Sequence, residues 1–197
     1  RPGQVVVVEI TQQPAERQPP LGRVVEILGK SGAPGMATEI ALRNFVIPWE
    51  WPDGVVAEAE AFGDSVSEAM ISGRRDLREL PLVTIAGADA RDFDDAVYAQ
   101  RRNNGWRLVV AIADVASYVK PGTGLDREAL KRATSVYFPQ RVVPMLPEAL
   151  SNGLCSLKPD EDRLCLVCDM SINESGKVTR SRFDAAVMRS QARLTYD

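Results

Sequence analysis

The tripeptide Asn103-Asn104-Gly105 sits between two apolar, alternating segments, Ala96 to Arg101 and Trp106 to Ala113. Asparagine and glycine accept the backbone angles of a tight turn at little cost, so this pattern folds the chain back as a β-hairpin. A second turn, Asn173-Glu174-Ser175-Gly176, joins the strand-like Arg163 to Ile172 and Lys177 to Arg189. Leu82 to Ile85, just after Pro81, reads as a further strand at the start of a domain. Leu125 to Ser135 reads as a helix, opened by Thr123 or Gly124 and carrying Lys131-Arg132 near its end, where cations offset the helix dipole. Tyr137 to Pro147 contains three prolines and is expected to be ordered but irregular.

The first part of the chain has a different character. Residues 5–10 and 21–28 read as strands around a polar, proline-containing turn. The glycine-rich stretch from Gly29 to Gly35 is a loop, without the Gly-Lys-Ser/Thr ending of a phosphate-binding loop. Met36 to Phe45 has helical apolar spacing. Strands with one short helix fit the end of a small β-barrel, over residues 1–47. Residues 48–80, rich in alanine and acids, read as a connector with one or two short helices. Residues 81–197 form the second domain, which makes the whole chain α+β. The start Arg1-Pro2-Gly3, running directly into Val5-Val6-Val7-Val8, suggests a fragment that begins inside a domain.

Composition narrows the chemistry. The chain of 197 residues is 45% hydrophobic and 26% charged, ordinary for a soluble globular protein. No stretch reaches the ~20 apolar residues of a membrane span. The three cysteines do not make a disulfide framework. Cys165 and Cys168 lie in an apolar run, where strand geometry points residues three apart to opposite faces; buried, reduced thiols of a cytoplasmic protein are expected. Histidine is absent, which removes Ser-His-Asp and Cys-His catalysis. Oxygen-only donor sets favour hard cations such as Mg²⁺, Mn²⁺ and Ca²⁺. The net charge of −3 does not announce a nucleic-acid binder, but its distribution is uneven. Residues 50–80 carry eight acids against three arginines, whereas 177–197 carry five cations against two acids.

The acids are most crowded in Asp89-Ala90-Arg91-Asp92-Phe93-Asp94-Asp95, between two predicted strands. Ionised carboxylates so close repel one another, and a divalent cation relieves the conflict. Such a cation also provides what phosphodiester hydrolysis needs: an acidified water and charge stabilisation on the attacking and leaving oxygens. Phe93 is expected to anchor in the core while the flanking acids turn outward. A solvated acidic turn accounts for the same residues. A Ca²⁺ loop fits less well, because the D-x-D-x-D-G spacing with a distant glutamate is missing.

The surrounding blocks resemble the RNase II/RNB exoribonuclease family. Pro81-Leu82-Val83-Thr84-Ile85, then Gly87-x-Asp89-Ala90-Arg91-Asp92-Phe93-Asp94-Asp95-Ala96-Val97, is similar to the signature of its catalytic domain. The likeness continues through Val110-Ala111-Ile112-Ala113-Asp114-Val115, Thr134-Ser135-Val136-Tyr137-Phe138-Pro139, Leu150-Ser151-Asn152-Gly153-Leu154-Cys155-Ser156-Leu157 and Ala192-Arg193-Leu194-Thr195-Tyr196. Residues 1–47 resemble the C-terminal part of the second cold-shock, OB-type domain that precedes it. The resemblance thus implies a partial OB-type β-barrel followed by the N-terminal part of a mixed α/β RNB catalytic domain. It implies a processive 3′→5′ exoribonuclease that releases nucleoside 5′-monophosphates with Mg²⁺, Mn²⁺ being possible in its place. RNA 3′ ends, single-stranded or as overhangs on structured RNA, would be its substrates in the cytoplasm. The remainder of the polypeptide, with the rest of the catalytic domain and an S1 domain, would be its structural partner in a monomer.

Carried over by position, Asp92, Asp94 and Asp95 match three of the family's four active-site aspartates. Asp95 is expected as a direct metal ligand, Asp94 as the residue least replaceable for chemistry, and Asp92 as completing or orienting the cluster. Tyr137 matches the aromatic that stacks on the 3′-terminal base, a contact that tolerates any base; a core tyrosine beside Phe138 is the alternative. Asn152-Gly153-Leu154-Cys155 either lines an RNA channel or packs in the core. One departure stands out. Ala86 occupies the position of the fourth carboxylate, and Ala88 replaces an acid often found two positions later. Alanine cannot coordinate a cation, so weakened metal binding and impaired turnover are expected, with Asp89 as a distant substitute donor. A catalytically inactive RNA-binding module is the alternative function.

Overall fold

The computed structural model describes every residue except Arg1, Asp89, Arg91 and Asp197. The chain divides into two compact units: residues 1–50 with 135–143, and residues 51–134 with 144–197.

In the first unit, β1 (Gln4–Gln12) and β2 (Leu21–Lys30) form a long antiparallel hairpin with several register shifts. Helix α1 (Met36–Asn44) follows, seating Met36 and Leu42 inward. Arg43 ties this helix to β2 through an ion pair with Glu26 and stacks over Trp49, 4.0 Å from the ring centroid. The proline-rich stretch expected to be irregular instead makes a short antiparallel hairpin in this unit, β7 (Val136–Phe138) with β8 (Arg141–Val143). Its strand residues are mostly β-branched or aromatic around a two-residue turn, and of the three prolines only Pro139 falls in the hairpin, at the turn where no ladder hydrogen bond is lost. Arg141 bonds Glu39 of α1 at 2.9 Å.

The second unit is built on a seven-stranded sheet. Its strands are β3 (Arg75–Leu77), β4 (Val83–Ile85), β5 (Asp95–Arg102), β6 (Gly105–Ala113), β9 (Asp162–Ile172), β10 (Val178–Arg189) and β11 (Ala192–Leu194), in the order β11-β4-β5-β6-β9-β10-β3. The predicted central hairpin is present, with Arg102 opposite Gly105. Gly105 takes φ of 131° there, and a Cβ would lie 1.9 Å from the Ile172 carbonyl oxygen, so only glycine fits. The second hairpin pairs β9 with β10 along eleven residue pairs.

Cross-strand partners share a face, and the two faces differ. Ala96, Ala111, Val167 and Ala186 point to the core, where they meet α2 (Asp53–Glu60), α4 (Gly124–Arg132) and the helical turn Ala149–Leu154. Helix α4 starts as expected, the Thr123 side chain accepting from the Asp126 backbone N–H at 3.2 Å. The stretch read as a connector does more than connect: Val55, Ala59 and Leu77 belong to this core, and a four-residue helix, α3 (Glu68–Ile71), leads into β3. On the other face Ile112, Leu166 and Phe183 stand open to solvent. Cys165 and Cys168 fall on opposite faces, the first buried and the second partly exposed.

Candidate functional site

The acidic run lies between β4 and β5 in the chain, and its backbone from Phe93 to Asp95 is pinned from several sides. Asp95 opens β5 opposite Ile112, and the Ala113 N–H donates to the Asp94 carbonyl at 2.9 Å. Phe93 is 8% exposed, the anchor its apolar character demands. Its N–H donates to the Ser156 hydroxyl at 3.1 Å, and its carbonyl accepts from the Leu157 N–H at 2.8 Å. The adjoining Leu154 and Cys155 are buried, so this part of the Asn152–Cys155 stretch packs in the core beneath the acidic run.

The side chains leave this frame in different directions. Asp95 shares its sheet face with Ile112 and Leu166, the face open to solvent. Asp94 reaches solvent too, but one flank lies against protein, close enough for its charge to act on the buried Cys155 thiol. That partial desolvation, with the neighbouring charges of Asp92 and Asp95, raises the Asp94 carboxyl above its ordinary value. Asp92 is half-buried.

Ala86 follows the last residue of β4. The antiparallel pairing of β4 with β5 ends with Thr84 opposite Ala96, and Ala86 and Asp94 each lie two residues beyond that pair, toward the acidic run. Position 86 thus stands at the same end of the sheet as the acidic run, where Ala86 packs against the core. Among the described residues, no three acidic or sulfur side chains converge into a group that could hold a metal ion. The donors are thus of the right chemistry for a hard cation, with mutual repulsion that a cation would relieve, but alanine stands where the backbone offers a further donor. Asp89, the substitute donor considered above, lies outside the described residues.

Tyr137 belongs to the first unit, on β7, and is 64% exposed. An exposed aromatic is what base stacking needs. Sequence reasoning missed Arg193, whose guanidinium reaches the acidic run from β11; its only signal was its place in the Ala192–Tyr196 block.

The RNB domain model matches residues 74–197, and the cold shock domain model matches residues 1–52. The chain belongs to the RNB family. This RNB chain is 61% identical over 195 residues to Ribonuclease R of Acidithiobacillus ferrooxidans, covering 99% of the chain and 44% of that relative. It is 57% identical to Ribonuclease R of Escherichia coli, covering all of the chain and 24% of that protein. The structure of Mycoplasma genitalium RNase R in complex with ribose methylated single-stranded RNA superposes with a TM-score of 0.92 at 32% identity, over 99% of the chain and 30% of that protein. The RNB chain therefore spans a quarter to less than half of the curated relatives it matches. The α+β architecture, an OB-type cold-shock part before an RNB part, is that of the family. No helix among the described residues is long and apolar enough to cross a membrane.

Proposed function

We propose that the polypeptide containing this chain is a processive 3′→5′ exoribonuclease that releases nucleoside 5′-monophosphates in RNA turnover and quality control. The observation that carries this reading is the order of its parts: a cold-shock unit, then an RNB sheet whose β5 is opened by the acidic run. RNA 3′ ends, single-stranded or as overhangs on structured RNA, are the proposed substrates, and a cytoplasmic monomer completed by further catalytic and S1 segments is the proposed assembly.

Asp94 and Asp95 are the proposed holders of Mg²⁺ or Mn²⁺, with Asp92 orienting them. The cation, when bound, supplies an acidified water and neutralises charge on the phosphodiester oxygens. The chain's own residues do the remaining work. Phe93, held through both its backbone polar groups, fixes where the carboxylates begin. Tyr137 offers a ring on which any terminal base stacks. Catalysis then rests on positioning and electrostatic stabilisation.

Ala86 favours a second reading, a catalytically inactive RNA-binding module. Incubation of the full-length polypeptide with 5′-labelled single-stranded RNA and Mg²⁺ separates the two. Stepwise shortening from the 3′ end with monophosphate release supports the nuclease; retention of intact RNA supports the module.

A further inference from the structure

Arg193 is remote from the acidic run in sequence yet touches both the residues that lead into it and its aromatic anchor. Strand β11 lies parallel to β4, with Arg193 opposite Thr84 and Leu194 opposite Ile85. The Leu194 carbonyl accepts from the Ala86 N–H at 3.1 Å, extending the pairing to the last residue before the loop. There the Arg193 side chain takes over. Its Nη2 donates to the carbonyl of Gly87 at 3.0 Å and to that of Ala88. Its guanidinium carbon lies 5.0 Å from the centroid of the Phe93 ring. Gly87 and Ala88 lead into the acidic run, and Phe93 sits between Asp92 and Asp94. One planar cation thus joins the entry of the run to its aromatic anchor, a task that suits guanidinium, which donates in its plane and stacks on its face.

We propose that Arg193 is a positioning residue for the candidate metal centre, setting the separation of Asp92, Asp94 and Asp95 by clamping Gly87 and Ala88 to Phe93. The proposal rests on the metal-site reading above. The loop carbonyls lie past the end of β4 and before the start of β5, where the sheet ladder no longer fixes them. The positive charge beside the run also offsets part of the carboxylate repulsion before any cation arrives. Arg193 is itself exposed, so its bonds contribute little to global stability. Its effect is local, on the geometry the carboxylates offer.

The test compares the chain with Arg193→Ala and Arg193→Lys variants, each also carried in an Ala86→Asp background. Two readouts are needed: amide hydrogen exchange across residues 86–94 without metal, and Mn²⁺ affinity by calorimetry. Arg193→Ala is expected to speed exchange in this segment about tenfold, the scale of losing two exposed carbonyl bonds and a cation–π contact, with the unfolding midpoint unchanged. Mn²⁺ affinity is expected to fall roughly tenfold or more, as when an outer partner of a metal ligand is removed, with Arg193→Lys intermediate in both. Unchanged exchange overturns the clamp. Faster exchange with unaltered Mn²⁺ affinity overturns the positioning role and leaves a structural contact. No Mn²⁺ binding by unsubstituted Arg193 chains in either background defeats the reading of the site itself, and this proposal with it.

Discussion

Arg107 and Asp169 meet side-on, Nε to Oδ1 at 3.0 Å and Nη2 to Oδ2 at 2.7 Å. This bidentate pair closes the polar end of the sheet's core face, and Arg75 extends it, bonding Asp169 at 2.8 Å and Asp184 at 3.0 Å. Charge-assisted forks of this kind are the strong class of hydrogen bond. The Asp169 carboxyl is accordingly held down to about 2, first by Arg107 and against the opposing effect of burial, with Arg75 adding to the fall. A depressed folded-state value means that the carboxylate stabilises the fold fully above its ordinary 3.8. That stabilisation is lost as pH falls toward the folded value. Between about pH 4 and pH 2 the chain should lose about 2 kcal/mol through this group. Urea unfolding across that range checks it. Asp169→Asn should remove most of this slope; a variant with the parent's slope would show that Asp169 is not its source.

Arg74 is another cation of the second unit largely withdrawn from solvent. It donates to Asp114 at 2.7 Å, to the Ser117 hydroxyl at 2.5 Å and to the Met70 carbonyl at 3.0 Å. Removing one member of a pair withdrawn from water leaves the other charge unsatisfied, so Arg74→Ala should cost about 3–5 kcal/mol. The Arg23–Glu9 pair of the first unit has comparable geometry, at 2.6 Å, but is open to solvent. Arg23→Ala should cost less than about 1 kcal/mol. Urea midpoints of the two variants measure the contrast, and similar losses would mean that burial does not set the worth of these pairs.

The thiols divide by burial. Desolvation pushes both Cys155 and Cys165 up to about 12, which leaves almost no thiolate at neutral pH. Cys168 lies on the open face of the sheet and is partly exposed. Titration with a chromogenic disulfide reagent near pH 8 should therefore modify at most one thiol in the folded chain and all three after denaturation. Rapid native modification of two or more would contradict the packing of β9 and of the segment beneath Phe93.

Much of this arrangement is legible in the sequence, and the reasons are local. Asn103-Asn104-Gly105 and Asn173 to Gly176 carry turn chemistry that few other structures use, and both hairpins formed where expected. Phe93, apolar among charges, has little choice but the core. What stayed hidden depends on partners far along the chain. Val55 and Ala59 look like filler in an acidic stretch, because the α4 and sheet surfaces they pack on are supplied by later residues. The hairpin at Val136–Val143 is masked by its prolines, which fall at its turn and beyond its end. Arg193 reads as one more surface cation until β11 is set beside β4, a parallel pairing with no sequence signal of its own. Ala86 was visible as a departure, but only the register of Thr84 with Ala96 shows that it lies at the same end of the sheet as Asp94.

That register makes the strongest demand on the candidate site. If position 86 completes the donor set, Ala86→Asp should convert a chain with weak divalent-ion affinity into one with strong affinity. Its backbone N–H is already bound to Leu194, so the new side chain is carried on a fixed strand end. A fourth carboxylate also intensifies repulsion when no cation is present. The variant should therefore be less stable than the parent in chelator and gain more from Mg²⁺, since binding to the folded state alone stabilises it by mass action. Thermal unfolding with and without Mg²⁺ reads both signs in one experiment. In the full-length polypeptide, 3′→5′ degradation of single-stranded RNA should rise at least tenfold, the order expected when a site recovers a metal-organising group. Equal Mg²⁺ responses in parent and variant would place the fourth donor elsewhere, and leave Ala86 as a strand end near the acidic run.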